Sequence, residues 1–119
     1  MKIKLIIIFV ILLLSSNAIA EVAVKDYLAW KKDDNKSDML NMYVAGLYQG
    51  IEWSNSALRT KNKPPLYCPP AKLKLKYENY IDIIDSQIEH LRNNKTLEGG
   101  HPLGAILISG LMRVFPCKD

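Results

Sequence analysis

The sequence predicts an all-α domain, a small bundle of about four helices closed by one disulfide, Cys68–Cys117. Three observations predict it. Apolar residues recur at spacings of three and four with almost no period-two alternation. Proline clusters and a Gly-Gly pair punctuate these runs. The chain carries two cysteines, an even count that reads as a disulfide in a small exported domain. Closing a loop of about 50 residues stabilises a fold by about 4 kcal/mol on the chain-entropy account. No Cys-x-x-Cys pattern argues for redox-active thiols instead.

Residues 1–20 read as a leader. Lys2 and Lys4 form a positive region, Leu5 to Leu14 is unbroken and apolar, and Ala18-Ile19-Ala20 supplies the small residues of a cleavage site. Cleavage is expected after Ala20, which exports the chain. The rival, an uncleaved anchor, needs roughly 20 apolar residues, more than this run offers. No Cys follows the site to suggest a lipoprotein, and nothing later is apolar enough to cross a bilayer, so no membrane association is expected after cleavage. Residues 21–119 then form one domain, with room for one core. The formal charge falls from +4 to +2 once Lys2 and Lys4 are removed. Lys72, Lys74 and Lys76 are the one notable basic cluster. With three arginines and no basic stripe, nucleic acid is not an expected partner.

Each helix follows from its pattern. Val24, Tyr27, Leu28 and Trp30 outline a short first helix, ended by the polar stretch Lys31 to Lys36. Ser37 or Asp38 is a candidate N-cap for the second. There Leu40, Tyr43, Val44, Leu47, Tyr48, Ile51 and Leu58 mark a helix from Ser37 to near Lys61, about 37 Å long. Gly46 and Gly50 share one face of it and each costs about 1 kcal/mol relative to Ala. Close approach of another helix or of a partner subunit would compensate; a local kink is the plain alternative.

Pro64 and Pro65 end the second helix, and Pro69 and Pro70 are expected to open the third, since proline suits a first turn. Leu73, Tyr77, Tyr80, Ile81, Ile84, Ile88 and Leu91 form its apolar stripe, with Asp82, Asp85, Glu89 and Arg92 opposite, to an end near Asn93. Asn94 to His101 is a polar loop. Pro102 opens a last helix burying Leu103, Ile106, Leu107, Gly110, Leu111 and Val114, stopped by Phe115-Pro116-Cys117. The disulfide is thus expected to pin the end of the last helix to the start of the third.

No catalytic constellation can be assembled. There is no Gly-x-Ser-x-Gly turn, and both cysteines are taken. His90 reads as a solvated surface residue and His101 as a contact beside a helix start. The two His and two Cys lack the paired spacing of a zinc site, so no metal and no cofactor are expected. Asp82, Asp85 and Glu89 read as an exposed face available for electrostatic contact. Asn35-Lys36-Ser37 and Asn94-Lys95-Thr96 match the glycosylation sequon, which matters in a eukaryotic secretory route. What remains is a binding function, with the Gly-Gly loop presented on a helical scaffold or serving as a plain connector.

Three runs carry a resemblance: Asn41 through Ile51 with its Tyr-x-x-Gly-x-x-x-Gly pattern, Tyr67-Cys68-Pro69-Pro70, and the closing Phe115-Pro116-Cys117. In this order they resemble the Rap/Tai immunity proteins, periplasmic antitoxins of bacterial type VI secretion, and are nearest the fourth Tai subgroup. The resemblance implies a helical, disulfide-bonded homodimer that neutralises a cognate peptidoglycan amidase effector, of the NlpC/P60 cysteine endopeptidase type. It implies inhibition by a loop that plugs the active-site cleft. The matching loop here is Asn94 to His101, with Thr96, Leu97, Glu98, Gly99, Gly100 and His101 as candidate toxin-binding residues. Gly46 and Gly50 are the candidate dimer-interface positions. The competing readings are a periplasmic helical chaperone, an orphan binding protein of the same fold, and a eukaryotic secreted helical factor. A secreted hydrolase lacks residues to support it.

Overall fold

A computed structural model describes residues 21–118; the expected leader, its cleavage after Ala20, and Asp119 lie outside the described residues. Among the described residues four helices follow one another: α1 (Val24–Trp30), α2 (Ser37–Thr60), α3 (Tyr77–Asn93) and α4 (Leu103–Val114). A 3-10 turn at Asp34–Lys36 leads into α2. The fold is all-α, and the Cys68–Cys117 disulfide is formed, with its Cα atoms 4.9 Å apart. Extended pairing among the described residues is limited to one bridge between Ala23 and Pro102.

Helix α1 begins where the Asp26 carboxylate accepts the Ala23 N–H at 3.2 Å. It buries Val24 and Tyr27, one turn apart. Helix α2 starts differently from expectation. Neither Ser37 nor Asp38 caps it; Asp33 instead caps the 3-10 turn, its carboxylate accepting the Asn35 N–H at 3.0 Å. That turn runs directly into α2, so Ser37 is already helical and the chain arrives prewound. Leu40, Val44, Ile51 and Asn55 line its buried face. The helix ends as Asn62 takes a left-handed φ of 52°, which lets the Lys63 N–H reach the Leu58 carbonyl at 2.8 Å.

The expected start of α3 needs correction. Pro69 and Pro70 open no helix; α3 begins at Tyr77, and Leu73 lies outside it, 45% exposed. After a turn closed by the Leu73 N–H on the Pro70 carbonyl (2.9 Å), the run Lys72-Leu73-Lys74-Leu75-Lys76 alternates basic and apolar residues. Leu75 packs against the core while Leu73 and all three lysines stay exposed, and the run joins no helix. Asn79 fixes the true start, its side-chain oxygen accepting the Lys76 N–H at 2.8 Å. The disulfide therefore ties the tail after α4 to the middle of the α2–α3 loop, not to a helix start. A backbone hydrogen bond from Cys68 to the Phe115 carbonyl (2.8 Å) runs beside it.

The core lies where α3 and α4 pack most extensively on each other, with α1 and α2 covering it. Val24, Tyr27, Val44, Tyr80, Ile84, Leu103, Leu107 and Leu111 are its fully buried members. Gly110 brings α4 close to α3: a Cβ there would sit 2.8 Å from Ile83 Cγ2. The rings of Tyr48 and Tyr80 stack with centroids 4.2 Å apart, joining α2 to α3. Buried Gln87 accepts the Arg113 Nε–H at 2.7 Å, and Ser86 accepts a second guanidinium N–H at 2.7 Å.

Candidate binding loop and exposed helix face

The loop after α3 is built on the first turn of α1. Lys95 takes a left-handed φ of 58°, and the Thr96 N–H returns to the Leu91 carbonyl at 2.9 Å, closing the helix end. Leu97 then turns inward and packs on the core. A tight turn follows: His101 N–H donates to the Glu98 carbonyl (3.1 Å), and Glu98 N–H donates to His101 Nδ1 (3.2 Å).

Two carbonyls of this turn serve α1. His101 accepts the Val24 N–H at 2.9 Å and Gly99 accepts the Lys25 N–H at 3.0 Å. The opening N–H groups of a helix have no partner within it, so the loop supplies acceptors that α1 would otherwise lack. Leu103 N–H donates to Val22 O at 2.9 Å and locks the far side. The six candidate residues thus divide. Thr96, Glu98, Gly99 and Gly100 are exposed; Leu97 and His101 are half-buried supports.

The two loop glycines have different surroundings, and neither has a positive φ. Gly99 lies against α1, where an added Cβ would touch Lys25 Cβ at 3.6 Å. Gly100 has open space around it. A side chain at Gly100 would project without disturbing the fold.

Gly46 and Gly50 lie on the exposed side of α2, and an added Cβ at either would meet nothing within 4 Å. Among the described residues no helix approaches them, so packing between the described helices does not explain them. Their neighbours on that face are Met42 and Trp53, 77% and 76% exposed, and Met39 at 44%. Helical spacing sets positions 39, 42, 46, 50 and 53 on the side opposite Leu40, Val44 and Ile51. The charged residues of α2 are Asp38, Glu52 and Arg59, none of them on this stripe. The sequence reading missed Met39, Met42 and Trp53; a second apolar repeat, out of phase with the first, was the signal.

The carboxylates expected as an open face are largely engaged. Asp85 accepts from the Tyr27 hydroxyl (2.7 Å) and from Lys31 Nζ (2.6 Å). Glu89 pairs with Arg92, and Asp82 is exposed. His90 is exposed beside the Asn94 amide, 3.2 Å away. Burial, followed by the Asp85 hydrogen bond, pushes the Tyr27 hydroxyl well above the usual phenol range. Burial and the Glu52 carboxylate do the same for Tyr80.

Two surface hollows measure about 210 and 180 Å³. Trp30, Leu40, Tyr77 and Ile81 line the first, and Glu52, Asn55, Arg59 and Tyr67 the second. Both fall below the roughly 300–1,000 Å³ of small-molecule sites. The surface therefore offers a rigid loop tip and an apolar helix face, features suited to macromolecular contact. Comparison with family models, curated proteins and solved structures gives no match to this chain.

Proposed function

We propose that this chain is a periplasmic immunity protein that binds a peptidoglycan amidase of the cysteine endopeptidase type and fills its active-site cleft with the Thr96–His101 loop. One observation carries the reading: Glu98, Gly99 and Gly100 are exposed while the carbonyls of Gly99 and His101 are tied to α1 and Leu97 anchors the loop on the core. A loop held this way enters a cleft with little ordering left to lose. Glu98 supplies a carboxylate for a basic group at the cleft, and Gly100 permits close backbone contact. The ordered resemblance of the Tyr-x-x-Gly-x-x-x-Gly helix, Tyr67-Cys68-Pro69-Pro70 and Phe115-Pro116-Cys117 supports the same reading.

The protein acts as a homodimer in this proposal, through the outer face of α2. A two-fold axis between Gly46 and Gly50 sets Met42 of one copy against Trp53 of the other, a favourable sulfur–aromatic contact. The glycines then let the two helices meet closely. Light scattering on the double variant Gly46→Leu/Gly50→Leu tests this: a monomer is expected, and a persisting dimer removes these positions from the interface.

The functional test is rescue from lysis. A panel of type VI amidases is expressed in the periplasm with the wild-type chain, with Gly100→Trp, or with Glu98→Lys. Wild type should rescue against its cognate amidase; Gly100→Trp, which the fold accommodates, should not. Failure of wild type across the panel, or rescue by Gly100→Trp equal to wild type, overturns the proposal. The exposed Met42 and Trp53 also suit a helical chaperone. That reading gains if acidification raises hydrophobic-dye binding and the protein then keeps an unfolded client soluble.

A further inference from the structure

We propose that the segment from Arg59 to Lys76 is a docking surface for anionic lipid headgroups, holding the protein at a membrane face without crossing it. The argument starts from charge. Residues 59–76 contain Arg59, Lys61, Lys63, Lys72, Lys74 and Lys76 and no acidic residue. The rest of the chain after residue 20 has 8 basic against 12 acidic residues, since 14 minus 6 leaves 8. A modest net charge of +2 thus conceals a strongly basic segment on an otherwise acidic body.

All six basic side chains are exposed. Among the described residues the ion pairs are Lys31–Asp85 and Arg92–Glu89, so none of the six is neutralised by a neighbour. The disulfide adds a seventh, because Cys117 sits 4.9 Å from Cys68 and carries exposed Lys118 next to it. Within the same segment Leu66 and Leu73 are 38% and 45% exposed.

The segment is fixed rather than slack. Asn55 donates to the Tyr67 carbonyl (3.0 Å) and accepts the Leu66 N–H (2.7 Å). Tyr67 is buried, four prolines stiffen the chain, and the disulfide holds its middle. Its basic groups are spread along 18 positions instead of converging on a cavity, which matches a diffuse negative surface better than a discrete ligand. Single-stranded nucleic acid would use exposed aromatic rings for stacking, and the one aromatic residue here, Tyr67, is 2% exposed. Basic residues interleaved with exposed leucines are the pattern of interfacial lipid binding. No helix among the described residues is long and apolar enough to cross a membrane, so the contact is peripheral.

The test uses the disulfide-bonded protein, residues 21–119, and vesicles of phosphatidylcholine with or without phosphatidylglycerol. Sedimentation with the anionic vesicles alone, weakening as salt screens the charges, is expected. Lys72→Gln/Lys74→Gln/Lys76→Gln should weaken binding about a hundredfold at low salt, at about fivefold per lysine. Leu66→Ser/Leu73→Ser should weaken vesicle binding and leave binding to soluble polyglutamate unchanged. Absence of binding to anionic vesicles overturns the proposal. Equal affinity for polyglutamate and vesicles, with the leucine variant unimpaired, also overturns it and assigns the segment to an acidic polymer or protein. No amidase enters the experiment, so its outcome is independent of the immunity reading.

Discussion

The Tyr27 hydroxyl donates a 2.7 Å hydrogen bond to the Asp85 carboxylate, joining α1 to α3 across 58 positions of sequence. The other Asp85 oxygen accepts from Lys31 at 2.6 Å, so one carboxylate holds both the body of α1 and the residue that follows its last turn. Helix α1 has seven residues, too few to persist alone. Its place is set by this pair, by the buried Tyr27 ring and by the loop carbonyls of Gly99 and His101.

Alkaline sensitivity follows from that contact. Unfolded tyrosine ionises near about pH 10, and in the fold burial and Asp85 hold the Tyr27 phenol protonated to higher pH. The raised value means that its contribution is intact below about pH 10 and is lost as pH rises beyond it. Tyr80 acts in the same direction. Urea midpoints should be flat near neutrality and fall above about pH 10. Tyr27→Phe should lose about 1.5–3 kcal/mol at neutral pH and show a shallower alkaline decline.

Asn55 is the anchor of the α2–α3 loop. It is 4% exposed and serves two backbone groups, the Tyr67 carbonyl and the Leu66 N–H. Asn55→Ala removes the partner of both groups and should cost about 2–6 kcal/mol in urea unfolding, on about 1–3 kcal/mol per stranded group. Asn55→Asp keeps the acceptor for Leu66 but sets a buried carboxylate against the Tyr67 carbonyl, and at neutral pH should cost at least as much as Asn55→Ala.

How much of this was legible depends on whether the signal was periodic. The stripes of α2, α3 and α4 are apolar at helical spacing, and the helices lie where those stripes run. The start of α3 was misread because Pro69 and Pro70 satisfy the local rule for a first turn, while the alternating Lys-Leu run beyond them favours extended chain. Proline chemistry is local; the outcome was set by Leu75 reaching the core and by Asn79 capping. The α1–loop contact was illegible, since backbone carbonyls carry no side-chain signature. The Tyr27–Asp85 bond was hidden for a related reason: Asp85 looks solvated on its own helix, and Tyr27 lies on a distant one.

Glycines test the difference between filled and open space. A Cβ at Gly110 would meet Ile83 Cγ2 at 2.8 Å and the Ile83 carbonyl at 3.2 Å. Because backbone cannot yield as a flexible side chain does, Gly110→Ala should destabilise by about 1–3 kcal/mol. Gly46→Ala and Gly50→Ala meet nothing, and each should raise monomer stability by about 0.5–1 kcal/mol through helix propensity. Thermal melts of the three variants at low concentration separate these signs. In the proposed dimer the same two changes should weaken association, seen as lower mass by light scattering.

The disulfide should matter more to stability than to helical structure. Cys68 and Cys117 are 49 positions apart, and removing such a link costs about 4 kcal/mol on the chain-entropy account. The α3–α4 contacts, the Tyr48–Tyr80 stack and the Asn55 anchors do not depend on it. Cys68→Ser/Cys117→Ser should therefore keep its far-ultraviolet circular dichroism at room temperature while its urea midpoint drops sharply. The wild type treated with reductant should match it. Loss of helical signal on reduction alone would instead make the link a condition of folding, with α4 unable to hold its place on α3 unaided.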